Sequence, residues 1–597
     1  MDTRVDRDRA ALKYLPAMPH QARFKRPRLT SILLWLAPLI FLLLFYFYPL
    51  GSILGMSFAR AQGSILAPFI EALSSASIRG VLWFTFWQAL LSTLLTLAIG
   101  LPGAYLLARY EFRGKSIIKA LTGIAFVLPT LVVAAAFNAL LGPQGLVNSA
   151  LMSTFGLQQP PIHFTNTLTA ILIAHMFYNT TIVLRLVGDF WSRLDPRLGQ
   201  AAAVLGANKW STLRRITLPL LLPAIASAAL LVFIFTFTSF GVILVLGGPQ
   251  FATLETEIYY QTVSLFNLPL AAVLALIQLV CTLALTIIYT RLVSGLSRPL
   301  SLRPTHITQR KISTWRGRFL AGIVILVLMG LIVAPLFALG FRSISNFERT
   351  ESSTARQGYG APVWRGFTLE NYRQLNINRR GSLFYASPAT TIAVSLGYAG
   401  ATVVLAILLG LPAAWVLSRR RSSFLNRSLD PLLMLPLGTS AVTLGLGFIV
   451  ALDKPPLDLR ASPLLVPLAH TLVAFPFVVR SLTPALRSIS PRLREAAAVM
   501  GANPRTVFRH VDLPLVARAL LVAAAFAFTI SLGEFGATAL IARPEYPTIP
   551  LAIYRLITRP GMQNYGQALA LSTILMLVAG LGMLAIERFR IADIGEF

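Results

Sequence analysis

Charge is scarce in this sequence, and acidic charge scarcest of all. Charged residues are 12% of the 597, with 52 Lys and Arg against 22 Asp and Glu, while 56% are hydrophobic. A soluble globular domain carries about 25% charged residues. That class is excluded, and a mean hydropathy of +0.70 puts the chain among multi-pass membrane proteins. Cysteine is nearly absent. The single one, Cys281, sits in an apolar run and reads as a small buried hydrophobe. An intrachain disulfide and a cysteine-built metal site are both excluded. The six histidines are scattered, and neither an H-E-x-x-H pair nor a nucleophile elbow occurs. Arg113-Gly114-Lys115-Ser116 ends as a phosphate-binding loop would. Arg109 stands where the earlier glycine is required, and such a loop also needs a preceding strand, so nucleotide binding is excluded. No catalytic residue, cofactor or metal site is expected.

Apolar length is what the chain has in excess. A membrane-spanning helix needs about 20 apolar residues. Twelve segments qualify, near 31–56, 81–107, 119–141, 167–188, 221–246, 269–290, 319–341, 388–417, 430–452, 462–484, 516–541 and 566–587. The segment 31–56 is too long for a signal-peptide core and has no A-x-A-like exit, so it reads as the first span.

The net charge of +30 is unevenly placed. Met1–Thr30 holds eight Lys and Arg, Arg109–Lys119 four, Arg185–Arg215 six and Arg291–Arg318 seven. Gly142–Asn166 and Leu246–Asn267 hold none. Basic residues stay on the cytoplasmic side of inserted helices, so both termini are expected in the cytoplasm. The partner of this charge is the bilayer, not nucleic acid. Arg342–Arg380, expected outside, departs from the rule with seven arginines. It is long, and the rule weakens with loop length.

One block occurs twice. Asp195–Pro219 and Ser490–Pro514 agree at 13 of 25 positions without a gap. Shorter matches keep the same order in both halves: Gly100-Leu101-Pro102 with Gly410-Leu411-Pro412, Leu128-Pro129 with Leu435-Pro436, Ala174-His175 with Ala469-His470, and Phe240-Gly241 with Phe535-Gly536. Each half has six spans, an even number, so the halves insert in the same orientation as parallel repeats. The fold class is therefore an all-α polytopic membrane protein of about twelve transmembrane helices in two six-helix repeats. The expected division is a basic N-terminal segment (1–30), a first lobe (31–293), a cytoplasmic linker (294–318) and a second lobe (319–597). Pro102, Pro129, Pro412 and Pro436 are expected to interrupt spans.

The repeated block reads as two short helices joined at a glycine. Asp195 and Ser490 suit N-caps, with Pro196 and Pro491 at the first helical position. Gly206 and Gly501 supply the stop, and Asn208 and Asn503 cap the second short helix. Ala-Ala-Ala keeps one face thin for a partner to approach. The blocks resemble the cytoplasmic coupling loop of binding-protein-dependent ABC import permeases. The family pattern is Glu-Ala-Ala, a glycine, then Ile-x-Leu-Pro. It is met by Glu495, Ala496, Ala497, Gly501, Val511, Leu513 and Pro514, and by Gln200, Ala201, Ala202, Gly206, Ile216, Leu218 and Pro219. Val511 and Gln200 are the two departures.

The resemblance implies a type I importer permease fold in the bacterial inner membrane. It also implies a separate ATPase dimer docked at residues 195–219 and 490–514, and an extracytoplasmic solute-binding protein. Fused halves resemble the permeases for thiamine and for ferric iron. Phe86–Ser92, Ile173–Asn179 and Ser239–Gln250 resemble the thiamine type, and Ser531–Gly536 fits either, so thiamine or its phosphates rank before iron. The extended N-terminus and the Arg342–Arg380 loop depart from both. Polar residues inside spans mark candidate pathways: His175, Tyr178, Asn179, His470 and Glu534. The alternative reading, an ion-coupled secondary carrier, would need carboxylates distributed along the spans, and only Glu534 stands out.

Overall fold

A computed structural model describes residues 36–58, 66–296, 309–349, 362–377, 387–419, 430–453, 455 and 457–589. The basic segment 1–30 and most of the linker lie outside them. The first lobe contains α1 (Leu36–Phe58), α2 (Ala76–Arg109), α3 (Lys115–Val127), α4 (Thr130–Leu141), α5 (Leu168–Arg193), α6 (Arg197–Val204), α7 (Lys209–Phe237), α8 (Leu254–Val263) and α9 (Leu268–Leu292). The second contains α10 (Trp315–Ser343), α11 (Thr390–Ser418), α12 (Ala441–Ala451), α13 (Leu465–Ser488), α14 (Pro491–Val499), α15 (Pro504–Gly533), α16 (Gly536–Ile541), α17 (Ile549–Ile557) and α18 (Met562–Phe589). Among the described residues 11 helices are long and apolar enough to cross a membrane, and a bent pair makes a twelfth. Strands are limited there to two short ladders. Tyr110–Glu111 (β1) pairs with Arg310–Lys311 (β2), tying the end of the linker to the loop after α2. Ser345–Arg349 (β3) and Pro362–Phe367 (β4) form a hairpin within the arginine-rich loop.

The prolines act differently from the expectation. Pro102 and Pro412 lie inside the unbroken helices α2 and α11, of 34 and 29 residues. The neighbouring glycines explain the motif better. A Cβ on Gly100 would lie 2.7 Å from Val183 Cβ, and one on Gly410 would lie 2.6 Å from Val478 Cγ1. Gly-Leu-Pro therefore lets α2 close on α5 and α11 close on α13, the small-residue contact that packs helices in lipid. Pro129 and Pro436 do break their spans. Leu128 is extended before Pro129, as the residue before proline must be, so α3 and α4 are separate where one span over 119–141 was expected. Pro436 sits in a 3-10 turn, and Asp430–Gly438 meets α12 at 97°.

The first helix of each lobe packs on the other lobe: α1 against α12, and α10 against α4. Gly447 on α12 permits the first contact, since a Cβ there would lie 2.9 Å from Pro49 Cβ. Tyr46 on α1 reaches Thr439 by a hydrogen bond of 2.7 Å. On the same boundary, Arg185 of α5 pairs with Glu587 of α18 at 2.6 Å. One buried apolar core runs through both lobes, from Phe137 and Phe177 to Phe535 and Ile553.

Candidate functional site

Two features are built twice by the repeat, a pair of hooked loops and the lining of an axial cavity. In each loop a short helix ends at a left-handed glycine, Gly206 at φ +81° and Gly501 at φ +84°. The closing bonds match: Ala207 N–H to Ala202 O at 2.9 Å, and Ala502 N–H to Ala497 O at 3.0 Å. Asn208 Oδ1 then accepts from Ser211 N–H at 2.7 Å, and Asn503 Oδ1 from Thr506 N–H at 2.9 Å. A π turn, Leu213–Thr217 or Phe508–Asp512, precedes Pro219 or Pro514. It absorbs the missing N–H of the proline. Gln200, Ala201, Glu495 and Ala496 are exposed, Ile216 and Val511 half-buried, Leu218 and Pro514 at the rim.

Ala202 and Ala497 are buried against their own loops. The middle alanine of each run packs inward, while Ala201, Ala203 and Ala496 stay exposed. The outward tips are apolar and were not singled out from sequence. Val204 is 88% exposed, Leu205 87%, Val499 88% and Met500 81%. Two pairs of apolar tips thus stand out on otherwise polar loops. The second loop is also braced where the first is not. Arg494 Nε donates to the buried Asp512 at 2.6 Å, and Gly199 and Thr217 stand at the matching positions of the first loop.

Lys115, in the rejected phosphate-loop motif, donates to Tyr110 O at 2.9 Å and to Glu111 at 3.1 Å. Burial lowers its pKa, and Glu111 opposes that shift. Its ammonium is spent on the loop.

A cavity of about 360 Å³ lies between the lobes. Phe240 and Phe535, the repeated Phe-Gly positions, stack across the lobe boundary with centroids 5.4 Å apart and planes at 21°. Phe126, Tyr178, Phe235, Thr238, Asn179, His175, Glu255 and Ser440 complete the working part of the wall. Three of the five pathway residues named from sequence, His175, Tyr178 and Asn179, line it. His470 and Glu534 sit behind the wall. His175 bridges Ser92 at 3.0 Å and Ser239 at 2.9 Å. His470 bridges Ser531 and Thr538, both at 2.8 Å, and reaches Glu534 at 3.2 Å. Glu534 also accepts from the Ala537 and Thr538 N–H groups and from the Thr538 hydroxyl, capping α16. The two histidine networks are thus one motif, with Ser239 and Glu534 as its variants.

Glu255 is the cavity residue that sequence reading missed. Leu246–Asn267 was expected to be an outer loop, but it folds back as α8, whose Leu254 N–H donates to Thr85 at 3.0 Å. The second lobe repeats this with Ile549 N–H and Ser395 at 2.8 Å. Two carboxylates, Glu255 and Glu257, in a segment lacking basic residues were the one available signal.

A solute-sized cavity on the axis between two equivalent membrane lobes, with hooked loops at the ends of those same lobes, is the plan of a two-lobe transport permease. The chain belongs to the family of binding-protein-dependent transport system inner membrane components, whose model matches residues 97–298 and 406–590. It is an ABC importer permease, a multi-pass inner membrane transport protein and not an enzyme. Two relatives are thiamine transport system permease proteins ThiP. The one from Salmonella typhimurium is 27% identical over 80% of this chain and 83% of its own. The one from Escherichia coli K12 is 27% identical over 85% and 88%. A probable ABC transporter permease of Sinorhizobium fredii is 27% identical over 88% and 91%. Among solved structures, a bacterial ABC transporter for import of the acidic polysaccharide alginate aligns at 19% identity and TM-score 0.39, covering 45% of this chain and 96% of that one.

The histidine networks give a graded stability prediction. Glu534→Ala strands two backbone donors, the Ala537 and Thr538 N–H groups, while His470 and the Thr538 hydroxyl keep each other. Unpaired buried groups cost about 1–3 kcal/mol each, so the melting temperature in detergent should fall clearly. Ser239→Ala strands one histidine nitrogen and should cost about 1 kcal/mol. A larger drop for Ser239→Ala than for Glu534→Ala would contradict the assignment of Glu534 as a cap.

Proposed function

We propose that this permease imports thiamine or its phosphates, delivered by an extracytoplasmic binding protein and driven by a separate ATPase dimer seated on α6 and α14. The observation that carries the solute is the cavity wall. Phe126, Tyr178, Phe235, Phe240 and Phe535 present aromatic surface, Glu255 adds one carboxylate, and no Lys or Arg lines it among the described residues. That chemistry suits a flat organic cation, attracted by ring faces and by a carboxylate. It opposes a bare anion. About 360 Å³ falls within the small-molecule range of roughly 300–1,000 Å³. The names of the Salmonella and Escherichia relatives support the same solute. Ferric iron, the second solute ranked from the sequence, gains no observation in its favour.

In this reading the basic loops, both termini and both hooks face the cytoplasm. The exposed tips Val204, Leu205, Val499 and Met500 enter clefts on the ATPase pair. Gln200, Ala201, Ala202 and Gly206, with Ile216, Leu218 and Pro219, shape the first hook. Glu495, Ala496, Ala497, Gly501, Val511, Leu513 and Pro514 shape the second. ATP-driven closure of the pair then moves both hooks together, and the lobes part around Phe240 and Phe535. His175, Tyr178 and Asn179 contact the solute; His470 and Glu534 hold the wall that those residues stand on.

Two measurements test this. Val204→Glu combined with Leu205→Glu should abolish co-purification of the ATPase subunit while the permease still inserts, and wild-type recovery would refute the docking surface. The partner binding protein, titrated with thiamine, thiamine pyrophosphate and ferric iron, should respond to the first two. Tight iron binding without a thiamine response would reverse the solute assignment.

A further inference from the structure

Glu255 is the only acid among the residues lining the cavity, and it is 1% exposed. One carboxylate oxygen accepts from Gln278 Nε2 at 2.5 Å, within its own lobe. The other accepts from Ser440 Oγ at 2.6 Å, across the lobe boundary. Ser440 is committed to that direction. Its oxygen accepts from the Val442 and Thr443 N–H groups at 3.1 and 3.3 Å, so its one proton goes to Glu255. No Lys or Arg within ion-pair distance compensates the carboxylate among the described residues.

A buried carboxylate held by neutral donors alone is costly to keep. The repeat shows that the fold does not require it. Pro550 occupies the matching position of the second lobe, and α17 still forms there, with the same N–H to hydroxyl anchor. The acid is an addition to one lobe, facing the shared cavity.

We propose that Glu255 is the charge-selecting residue of the cavity, pairing with the cationic ring of the solute in exchange for Ser440. The bond to Ser440 closes the boundary when no solute is bound. A cation entering between the lobes takes over that oxygen, so solute binding and loosening of the boundary are one event. Gln278 holds the other oxygen throughout and fixes where the charge sits. This inference rests on the proposed organic-cation solute.

The test is thiamine uptake into proteoliposomes carrying the complete importer, with binding-protein affinity measured separately. Glu255→Gln keeps the size and one acceptor oxygen but loses the charge. Uptake should fall about tenfold or more, the scale of removing a desolvated ionic partner, in a variant that still assembles with its ATPase. Glu255→Asp, which keeps the charge but withdraws it, should retain kcat with a several-fold higher KM. It carries the test alone should the glutamine variant not assemble. Wild-type uptake by Glu255→Gln, or an unchanged KM in Glu255→Asp, would overturn the role of Glu255 while leaving the solute assignment standing. A binding protein that takes no organic cation would overturn both, and the titration tells the two failures apart.

Discussion

The stack of Phe240 on Phe535 is the contact on which the rest of the molecule turns. Each ring comes from the same position of its repeat, so the two meet where the pseudo-two-fold axis passes. Each is followed by a glycine that lets its segment press on the first turn of a neighbouring helix. A Cβ on Gly241 would clash with Thr130 Oγ1, at the start of α4, and one on Gly536 would lie 3.0 Å from Ala441 Cβ, at the start of α12. The two broken spans place those starts beside the axis. Pro129 and the bend after Gly438 both end a helix where the cavity begins.

Around this axis the duplication is faithful in packing and unfaithful in chemistry. Gly100 against Val183 and Gly410 against Val478 are equivalent, as are the Thr85 and Ser395 anchors and the Asn208 and Asn503 caps. The exceptions cluster at the cavity and at the hooks: Glu255 against Pro550, Ser239 against Glu534, and the Arg494–Asp512 brace against Gly199 and Thr217. Packing must match for two lobes to share one bilayer and one partner dimer. The proposed solute has no two-fold symmetry of its own, so nothing requires the two walls of the cavity to carry the same charge.

Much of this was legible in the residues. Hydropathy located every segment but 119–141, and the duplicated block carried its glycine turn, its asparagine caps and its family. The misreadings share a physical cause. Hydropathy reports which segments avoid water, not which neighbour they pack on, so the exchange of α1 and α10 between lobes left no trace. A break after an apolar residue looks like continuity, so 119–141 read as one span. Pro102 and Pro412 looked disruptive because their glycine neighbours, which govern the contact with α5 and α13, were read only as context. Residues 246–267 read as a loop because α8 is short and polar by the standards of a span. Glu255 was hidden with it.

If the cavity opens between the lobes, the Phe240–Phe535 contact must part during each transport cycle. The most direct measurement puts cysteines at both positions, with Cys281 replaced, in an importer reconstituted with its ATPase and binding protein. A short thiol-reactive bridge between them should arrest ATP-driven thiamine uptake, and reductive cleavage of a disulfide-forming bridge should restore it. Undiminished uptake with the bridge fully formed would mean that solute crosses without the lobes separating there.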